Sequence, residues 1–205
     1  MNNNKASDKL KTIMDFGLQP RCFDFINNLD EEIKLFDFTL LQSKDTGLLQ
    51  LKSPIPAKSL VPEFNWIKNN EPDDHAYLIA EQVLKYASNN DAKVLFLSKY
   101  DKKVYELVKE SLCSRAVLLD ANKDLGILNT NPNQALIQGK INLNNLEHLS
   151  SCFGQFDIIV TSRLLEHANN IHSFISTLTR LLNENGKIIV EVPDSTKSLL
   201  QGDVA

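Results

Sequence analysis

The segment from Phe156 to Asp194 constrains the fold of this chain more than any other. An apolar run, Ile158–Val160, predicts a buried strand, and Lys187–Val192 predicts a second one. Between them, apolar residues recur at the spacing of one helical face; they are Phe174, Ile175, Leu178, Leu181 and Leu182. Asn185 and Gly186 then break the helical pattern. Two strands joined by a helix favour parallel pairing, because a parallel connection needs a long crossover.

The preceding part of the chain repeats this alternation. One helix is predicted from Asp73 or Asp74 to Asn89, and another begins at Asp101, which we assign as its N-cap. Short apolar runs predict further strands, which are Val94–Leu97, Ala116–Leu119 and Ala135–Ile141. Strands that alternate with helices predict an α/β fold, a doubly wound Rossmann-like parallel sheet with helices on both faces.

Residues 1–70 have a different pattern, which predicts a small, mostly β N-terminal module. Short apolar runs alternate with turn residues at 13–14, 23–26, 35–41 and 48–51, as expected of short strands. Prolines then cluster, which excludes a long helix or strand; they are Pro54, Pro56, Pro62 and Pro72. We therefore place a domain boundary near residue 70, with residues 71–205 forming the α/β domain.

Charge and hydropathy argue against nucleic-acid-binding and membrane-spanning classes of protein. The formal net charge of −4 argues against the basic surface that non-specific nucleic-acid binding needs. No run approaches the ~20 apolar residues of a membrane-spanning helix, and the polar start lacks the apolar core of a signal peptide. We therefore expect a cytoplasmic protein that binds neither nucleic acid nor membranes. The cysteines Cys22, Cys113 and Cys152 form no Cys-x-x-Cys pair and predict no zinc or redox motif.

Short segments of the chain occur in the order in which similar segments occur in a known family. They are Met14–Pro20, Thr46–Leu51, Leu165–His167 and Val190–Asp194. They are similar to Leu-Gly-x-Gln-Pro, Cys-Gly-Leu-x-Gln-Leu, Leu-Glu-His and Glu-Val-Pro-Asp. On these residues the chain resembles the nucleotide-sugar C-methyltransferases, which are class I S-adenosylmethionine-dependent enzymes. The resemblance implies a zinc-binding N-terminal module, a Rossmann-like domain that binds S-adenosylmethionine, and a C-terminal domain.

The zinc ligands of that family are replaced by other residue types here. Ser43 and Thr46 stand where the family has its second Cys-x-x-Cys pair, and no first pair precedes them. A hydroxyl is a poor zinc ligand. We therefore expect a module that has lost zinc and holds together by packing alone.

The cofactor turn and the end of the chain also depart from the family. The acidic position of the turn is taken by Phe96, and its glycine positions by Ser98 and Lys102. A Cβ there hinders the close approach of the backbone to a cofactor. The family's catalytic Tyr-x-Glu-His segment, which follows the fifth strand, does not occur before Ala205. We therefore expect a sheet that is incomplete at its C-terminal edge, in a domain truncated after the fifth strand.

The resemblance makes Ser98, Asp101, Asp120 and Arg163 the candidate cofactor-binding residues. Asp120 ends the second predicted strand, where a carboxylate can accept hydrogen bonds from ribose hydroxyls. The alternative is a solvated aspartate at the end of a strand. His167 is a candidate base near neutral pH, although in the family this histidine is mainly a structural part of its turn.

Lys99, Lys102 and Lys103 form a basic cluster at the position of the cofactor turn. One interpretation is a site for a phosphate, for instance that of a nucleotide sugar. The other interpretation is the solvated start of a helix, because lysines are common on protein surfaces.

The sequence leaves three functions open. The chain is a sugar-type methyltransferase that is weakly active or inactive alone, a pseudo-methyltransferase that acts as a binding or scaffold subunit, or the N-terminal half of a split methyltransferase. An incomplete sheet leaves an exposed edge, and such edges are usually paired or covered. We therefore expect a homodimer or a partner chain that completes the sheet, and a nucleotide sugar as the candidate ligand.

Overall fold

The computed structural model describes residues 9–61, 74–87, 91–112, 115–129 and 131–201. These residues fall into two compact units, 9–61 and 74–201. Each unit has its own sheet. No helix in the described ranges is long and apolar enough to cross a membrane.

The N-terminal unit is built on a three-stranded antiparallel sheet. Its strands are β1 (Leu10–Gln19), β2 (Phe36–Ser43) and β3 (Leu49–Leu51), in the spatial order β1-β2-β3. Two register shifts interrupt the pairing of β1 with β2. The apolar runs at 13–14, 35–41 and 48–51 thus correspond to strands, as predicted.

The strand predicted at 23–26 is wrong. This part of the chain forms a turn and irregular backbone. Arg21 organises it: the guanidinium pairs with the carboxylate of Asp24, lies 4.9 Å from the ring centroid of Phe23, and donates to the carbonyl of Ser59. These side-chain contacts hold the segment in a conformation that no ladder of backbone hydrogen bonds stabilises.

The α/β unit alternates helices and strands along the chain. Its helices are α1 (Asp74–Tyr86), α2 (Lys102–Leu112), α3 (Gln134–Lys140), α4 (Leu143–Phe153), α5 (Ile171–Thr179) and α6 (Ser195–Gln201). Its strands are β4 (Val94–Phe96), β5 (Ala116–Leu118), β6 (Phe156–Ser162) and β7 (Leu182–Glu191). All pairings are parallel, and the spatial order is β5-β4-β6-β7.

Alternate side chains of the central strand β4 enter two apolar cores. Val94 and Phe96 pack with α1 and α2 on one face of the sheet. Leu95, with Leu97 just after the strand, packs with α3, α4 and α5 on the other face. Both faces of the sheet are therefore covered by helices, which confirms the predicted α/β class and its doubly wound arrangement.

The strand predicted at Ala135–Ile141 is a helix, α3. The side chain of Asn133 accepts a hydrogen bond from the backbone N–H of Leu136 at 2.9 Å, which is the geometry of an N-cap. Ala135, Ile137 and Ile141 are buried, and this short apolar pattern suits one side of a helix as well as a strand. The described α/β unit therefore has four strands, and β6 and β7 correspond to the strands predicted as the fourth and fifth. The predicted bounds of the last helix and strand are wrong, because α5 ends at Thr179 and β7 already begins at Leu182, so the predicted break at Asn185 and Gly186 lies within this strand.

Candidate functional site: the carboxyl ends of the parallel strands

A cleft of about 480 Å³ lies beyond the carboxyl ends of β4 and β5. Its walls include Leu97, Ser98, Lys99, Asp120, Asn129 and Ile137. Open parallel sheets bind ligands at this edge, because the loops after the strands diverge there. The cleft therefore contains two of the predicted cofactor-binding residues, Ser98 and Asp120.

The turn between β4 and α2 is closed by its own hydrogen bonds. Ser98 caps a 3-10 turn, Lys99–Asp101, and its hydroxyl accepts from the backbone N–H of Tyr100 at 3.2 Å. In return, Asp101 Oδ2 accepts from the backbone N–H of Ser98 at 3.0 Å. This reciprocal pair is a capping box. The prediction that Asp101 is itself the N-cap is wrong: Ser98 is the cap, and α2 begins after Asp101.

Asp101 is fully buried and connects two strands. Its Oδ1 accepts a hydrogen bond of 2.9 Å from the backbone N–H of Ser162, at the end of β6. Burial raises the pKa of Asp101 to about 7, against the opposing effect of hydrogen bonds to the carboxylate. The carboxyl therefore ties the turn after β4 to β6, and it is not among the residues that line the cleft in the described part of the chain.

The predicted lysine cluster is dispersed. Lys99 Nζ donates to Asn131 Oδ1, and burial lowers the pKa of Lys99. Lys102 Nζ lies 3.8 Å from a carboxylate oxygen of Glu106, one helical turn along α2. Lys103 Nζ lies 5.9 Å from the ring centroid of Tyr77 on α1. Of these three lysines, only Lys99 faces the cleft.

Asp120 is exposed and orders the loop after β5. Its Oδ1 accepts from the backbone N–H groups of Asn122 at 2.9 Å and Lys123 at 3.0 Å. These bonds hold the pKa of Asp120 below its usual value. Its Oδ2 makes no hydrogen bond within the described ranges, so one carboxylate oxygen remains for a ligand in the cleft.

Arg163 and His167 lie after β6, away from the lining of the cleft. Arg163 has a positive φ of 60°, its backbone N–H donates to the carbonyl of Glu191 at 3.1 Å, and its Nε lies 3.6 Å from Glu166 Oε1. His167 ends a 3-10 turn, Leu165–His167. Burial, and secondarily the charge of Arg163, lower the pKa of His167. The lowered pKa favours the neutral form of its ring.

The segment that the resemblance aligned with zinc ligands forms a tight turn in the N-terminal unit. The hydroxyl of Ser43 accepts from the backbone N–H of Thr46 at 3.3 Å, and Gly47 follows with a φ of +74°. Cys22 and Cys152 are exposed free thiols, while Cys113 lies outside the described residues. Within the described ranges, no group of three or more His, Cys, Asp or Glu side chains is arranged to hold a metal ion.

Two residues of this region were not identified from the sequence. Asn131 receives the Lys99 ammonium, and Ser162 donates its backbone N–H to Asp101. Asn131 lies in an Asn-rich loop that carries no periodic pattern. For Ser162 a signal existed, because a polar residue at the carboxyl end of an apolar parallel strand lies at the ligand-binding edge of the sheet.

The comparisons with known proteins identify one domain. The sequence model of a methyltransferase domain matches residues 103–190. No curated protein matches the chain. The matched segment begins within α2 and ends within β7, so it leaves out β4 and the turn of residues 98–101. The match agrees with the general class of methyltransferase-like proteins predicted from the sequence.

Proposed function

Residues 103–190 match a methyltransferase domain, and we propose that this domain is non-catalytic. The chain would then be a pseudo-methyltransferase that acts as a binding or scaffold subunit. The observation that carries this proposal is the turn between β4 and α2. Methyltransferase domains of this family typically use S-adenosylmethionine, and the resemblance described above puts the glycines that receive it in this turn. Our proposal is that the altered turn does not hold that cofactor.

The backbone of the turn is the first support. Residues 98–101 contain no glycine, and the capping box between Ser98 and Asp101 satisfies backbone and side-chain groups that a ligand would otherwise engage. Each residue of the turn carries a Cβ, which keeps a ligand farther from the backbone than glycine does. Phe96, at the family's acidic position, is fully buried in the core with α1 and α2 and offers no polar group.

Charge is the second support. S-adenosylmethionine has a net positive charge, because its sulfonium and ammonium cations outnumber its one carboxylate, and Lys99 places a further ammonium on the wall of the cleft. Two positive charges in one partly enclosed cleft repel each other more strongly than in water. The ribose end of the cofactor has a better match, because Asp120 Oδ2 remains as an acceptor. The residues therefore fit the ribose end of the cofactor and not its positively charged methionine end.

We also propose that the chain is related to the nucleotide-sugar C-methyltransferases rather than to other methyltransferases. The support comes from two glycines in the motifs that carry the resemblance. Gly17 and Gly47 have φ values of +66° and +74°, which side chains with a Cβ rarely adopt. The turn Leu165–His167 directly after β6 is a third element of the same resemblance.

Isothermal titration with S-adenosylmethionine and S-adenosylhomocysteine tests the proposal on the full chain. A ligand at about 100 times its dissociation constant raises the free energy of unfolding by about 2.7 kcal/mol, so thermal melting provides a second readout. We expect no heat of binding and no change in melting temperature with either compound at about 1 mM. This concentration is far above the dissociation constant that a working cofactor site would have.

Binding of either compound that is lost in Asp120→Ala would contradict the proposal, because it would show that the cleft holds the cofactor through its ribose. Asp124→Ala is the matched control, since this carboxylate accepts only the backbone N–H of Asp120 within the same loop. If wild type and Asp124→Ala both bound the cofactor while Asp120→Ala did not, the domain would be assigned as a working cofactor site.

A further inference from the structure

The outer edge of β7 is open. β7 is the last strand of the sheet and pairs with β6 on one side, and no strand in the described ranges pairs with its other side. The carbonyl of Glu191 accepts from Arg163 and therefore points toward β6. Backbone groups of successive residues point to opposite edges of a strand, so those of Ile188 and Val190 point outward. An edge of this kind can pair with another chain.

Apolar side chains flank this edge on the side of α1. Two contacts show which face of α1 is next to β7: His75 Nε2 lies 3.6 Å from Glu191 Oε1, and Lys187 Nζ lies 5.4 Å from the ring centroid of Tyr86. Leu78 follows His75 by three residues and so shares this face. Leu78 is 66 % exposed and Tyr86 is 44 % exposed, although both are large and apolar or aromatic.

The opposite side of the same edge is also apolar. Val190 is 38 % exposed, and Val192, just past the end of the strand, is 48 % exposed. Ile188 is only partly buried against the core that contains α5. Unpaired backbone groups, flanked on both faces of the sheet by exposed apolar side chains, are the usual features of an interaction surface.

The charges along β7 identify the occupant. We propose that a second copy of this chain pairs antiparallel with β7 about a two-fold axis at Ile189. In that register Lys187 of each copy lies opposite the partner's Glu191. The outward backbone groups of Ile188 lie opposite those of the partner's Val190 and can form hydrogen bonds with them. The same register therefore pairs both the backbone groups and the opposite charges.

Neighbouring registers do not give this match. A two-fold axis at Val190 would place Ile189 opposite the partner's Glu191, and an axis at Ile188 would place Lys187 opposite the partner's Ile189. Both registers leave a charge facing an apolar side chain. A symmetric dimer needs a self-complementary patch, and β7 is self-complementary about Ile189. This pairing is independent of whether the cleft binds the cofactor, so the two proposals can fail separately.

Sedimentation equilibrium of the full chain and of charge-reversed variants tests the pairing. We expect wild type to be a dimer at micromolar concentration. Lys187→Glu and Glu191→Lys each place like charges opposite one another twice, and each should raise the dimer dissociation constant by about tenfold or more. The double variant K187E/E191K restores opposite charges and should restore the wild-type dissociation constant.

Two further variants keep the test decisive. Val190→Pro removes an outward N–H that makes no hydrogen bond within the sheet, so it should abolish dimerisation without loss of the folded sheet. Lys109→Glu changes the same charge on an exposed position of α2 and should leave the dimer intact. A monomeric wild type, a dimer that survives Val190→Pro, or a double variant no better than its single parents would each overturn the proposal.

Discussion

Replacing Asp101 by asparagine should remove a large pH dependence of stability in the α/β unit. The carboxyl is fully buried, and its two oxygens accept separate backbone N–H groups, those of Ser98 and Ser162. Burial nevertheless raises its pKa from the usual 3.8 to about 7. The asparagine side chain would keep the shape of the aspartate and one acceptor oxygen, and it would remove the proton that titrates.

The sign of the effect follows from proton binding. The unfolded chain releases the Asp101 proton near pH 3.8, whereas the folded chain keeps it up to about pH 7. Between these values the folded state binds more protons, so the free energy of unfolding falls as the pH rises. The full difference is on the order of 4 kcal/mol, and about 2.5 kcal/mol of it is lost between about pH 5 and pH 8.

Urea unfolding followed by far-UV circular dichroism measures this quantity, because the α-helices of the described ranges all belong to the α/β unit. We expect the difference in unfolding free energy, wild type minus Asp101→Asn, to fall by about 2.5 kcal/mol from about pH 5 to pH 8. The effect of His167, whose pKa is lowered, is present in both proteins and cancels in the difference.

Asp120→Asn is the control. Asp120 also follows a parallel strand and accepts two backbone N–H groups, but it is exposed and its pKa is lowered. It is therefore ionised throughout this range, and its difference curve should be flat. A flat curve for Asp101→Asn as well, or one that rises with pH, would refute the argument that burial outweighs the two hydrogen bonds.

Three further substitutions, with Leu200→Ala as an exposed control, test the packing and the turn by the same urea assay. Phe96→Ala should lower the free energy of unfolding by about 3–5 kcal/mol because the ring is fully buried, whereas Leu200→Ala on exposed α6 should change it by less than ~0.5 kcal/mol. Ser98→Ala removes the cap of the turn and should cost about 1 kcal/mol; no loss would show that the capping box is not needed. Gly186→Ala should cost about 1–3 kcal/mol, because its Cβ would lie 3.0 Å from the carbonyl of Asn183 and from the side chain of Leu182; an unchanged midpoint would show that this part of β7 relaxes freely.

The main elements of the fold could be predicted because their patterns are local. The apolar runs at 94–97 and 158–160 belong to strands with buried side chains on both faces, and such strands read as continuous apolar sequence. The prediction failed at 135–141, where the apolar spacing is short and the deciding feature is the side-chain cap from Asn133. It also failed at 23–26, where contacts of Arg21 replace strand pairing.

The site was less predictable because its main contacts join distant parts of the chain. The sequence indicated Asp101 as a cap, which is a local role, but its carboxylate also accepts a hydrogen bond from a residue 61 positions away. The lysine cluster was read as a unit because its members are adjacent in sequence. On the folded chain Lys99, Lys102 and Lys103 have separate partners, because successive residues of a turn and helix point in different directions.

The side chains of β4 enter an apolar core on each face of the sheet, and this arrangement affects how β4 aligns with its neighbouring strands. In a strand with one polar face, a slip of one residue moves the apolar side chains into water, which heavily penalises the wrong alignment. In β4 a slip would only exchange one apolar core for the other, so burial alone discriminates weakly. Two aspartates discriminate instead: Asp157 in β6 accepts the backbone N–H of Lys93, just before β4, at 2.8 Å, and Asp101, after β4, accepts that of Ser162 at the end of β6. The neighbouring strands β4 and β6 are thus fastened at both ends, and the alignment of the central sheet is set by carboxylates rather than by hydrophobic pattern.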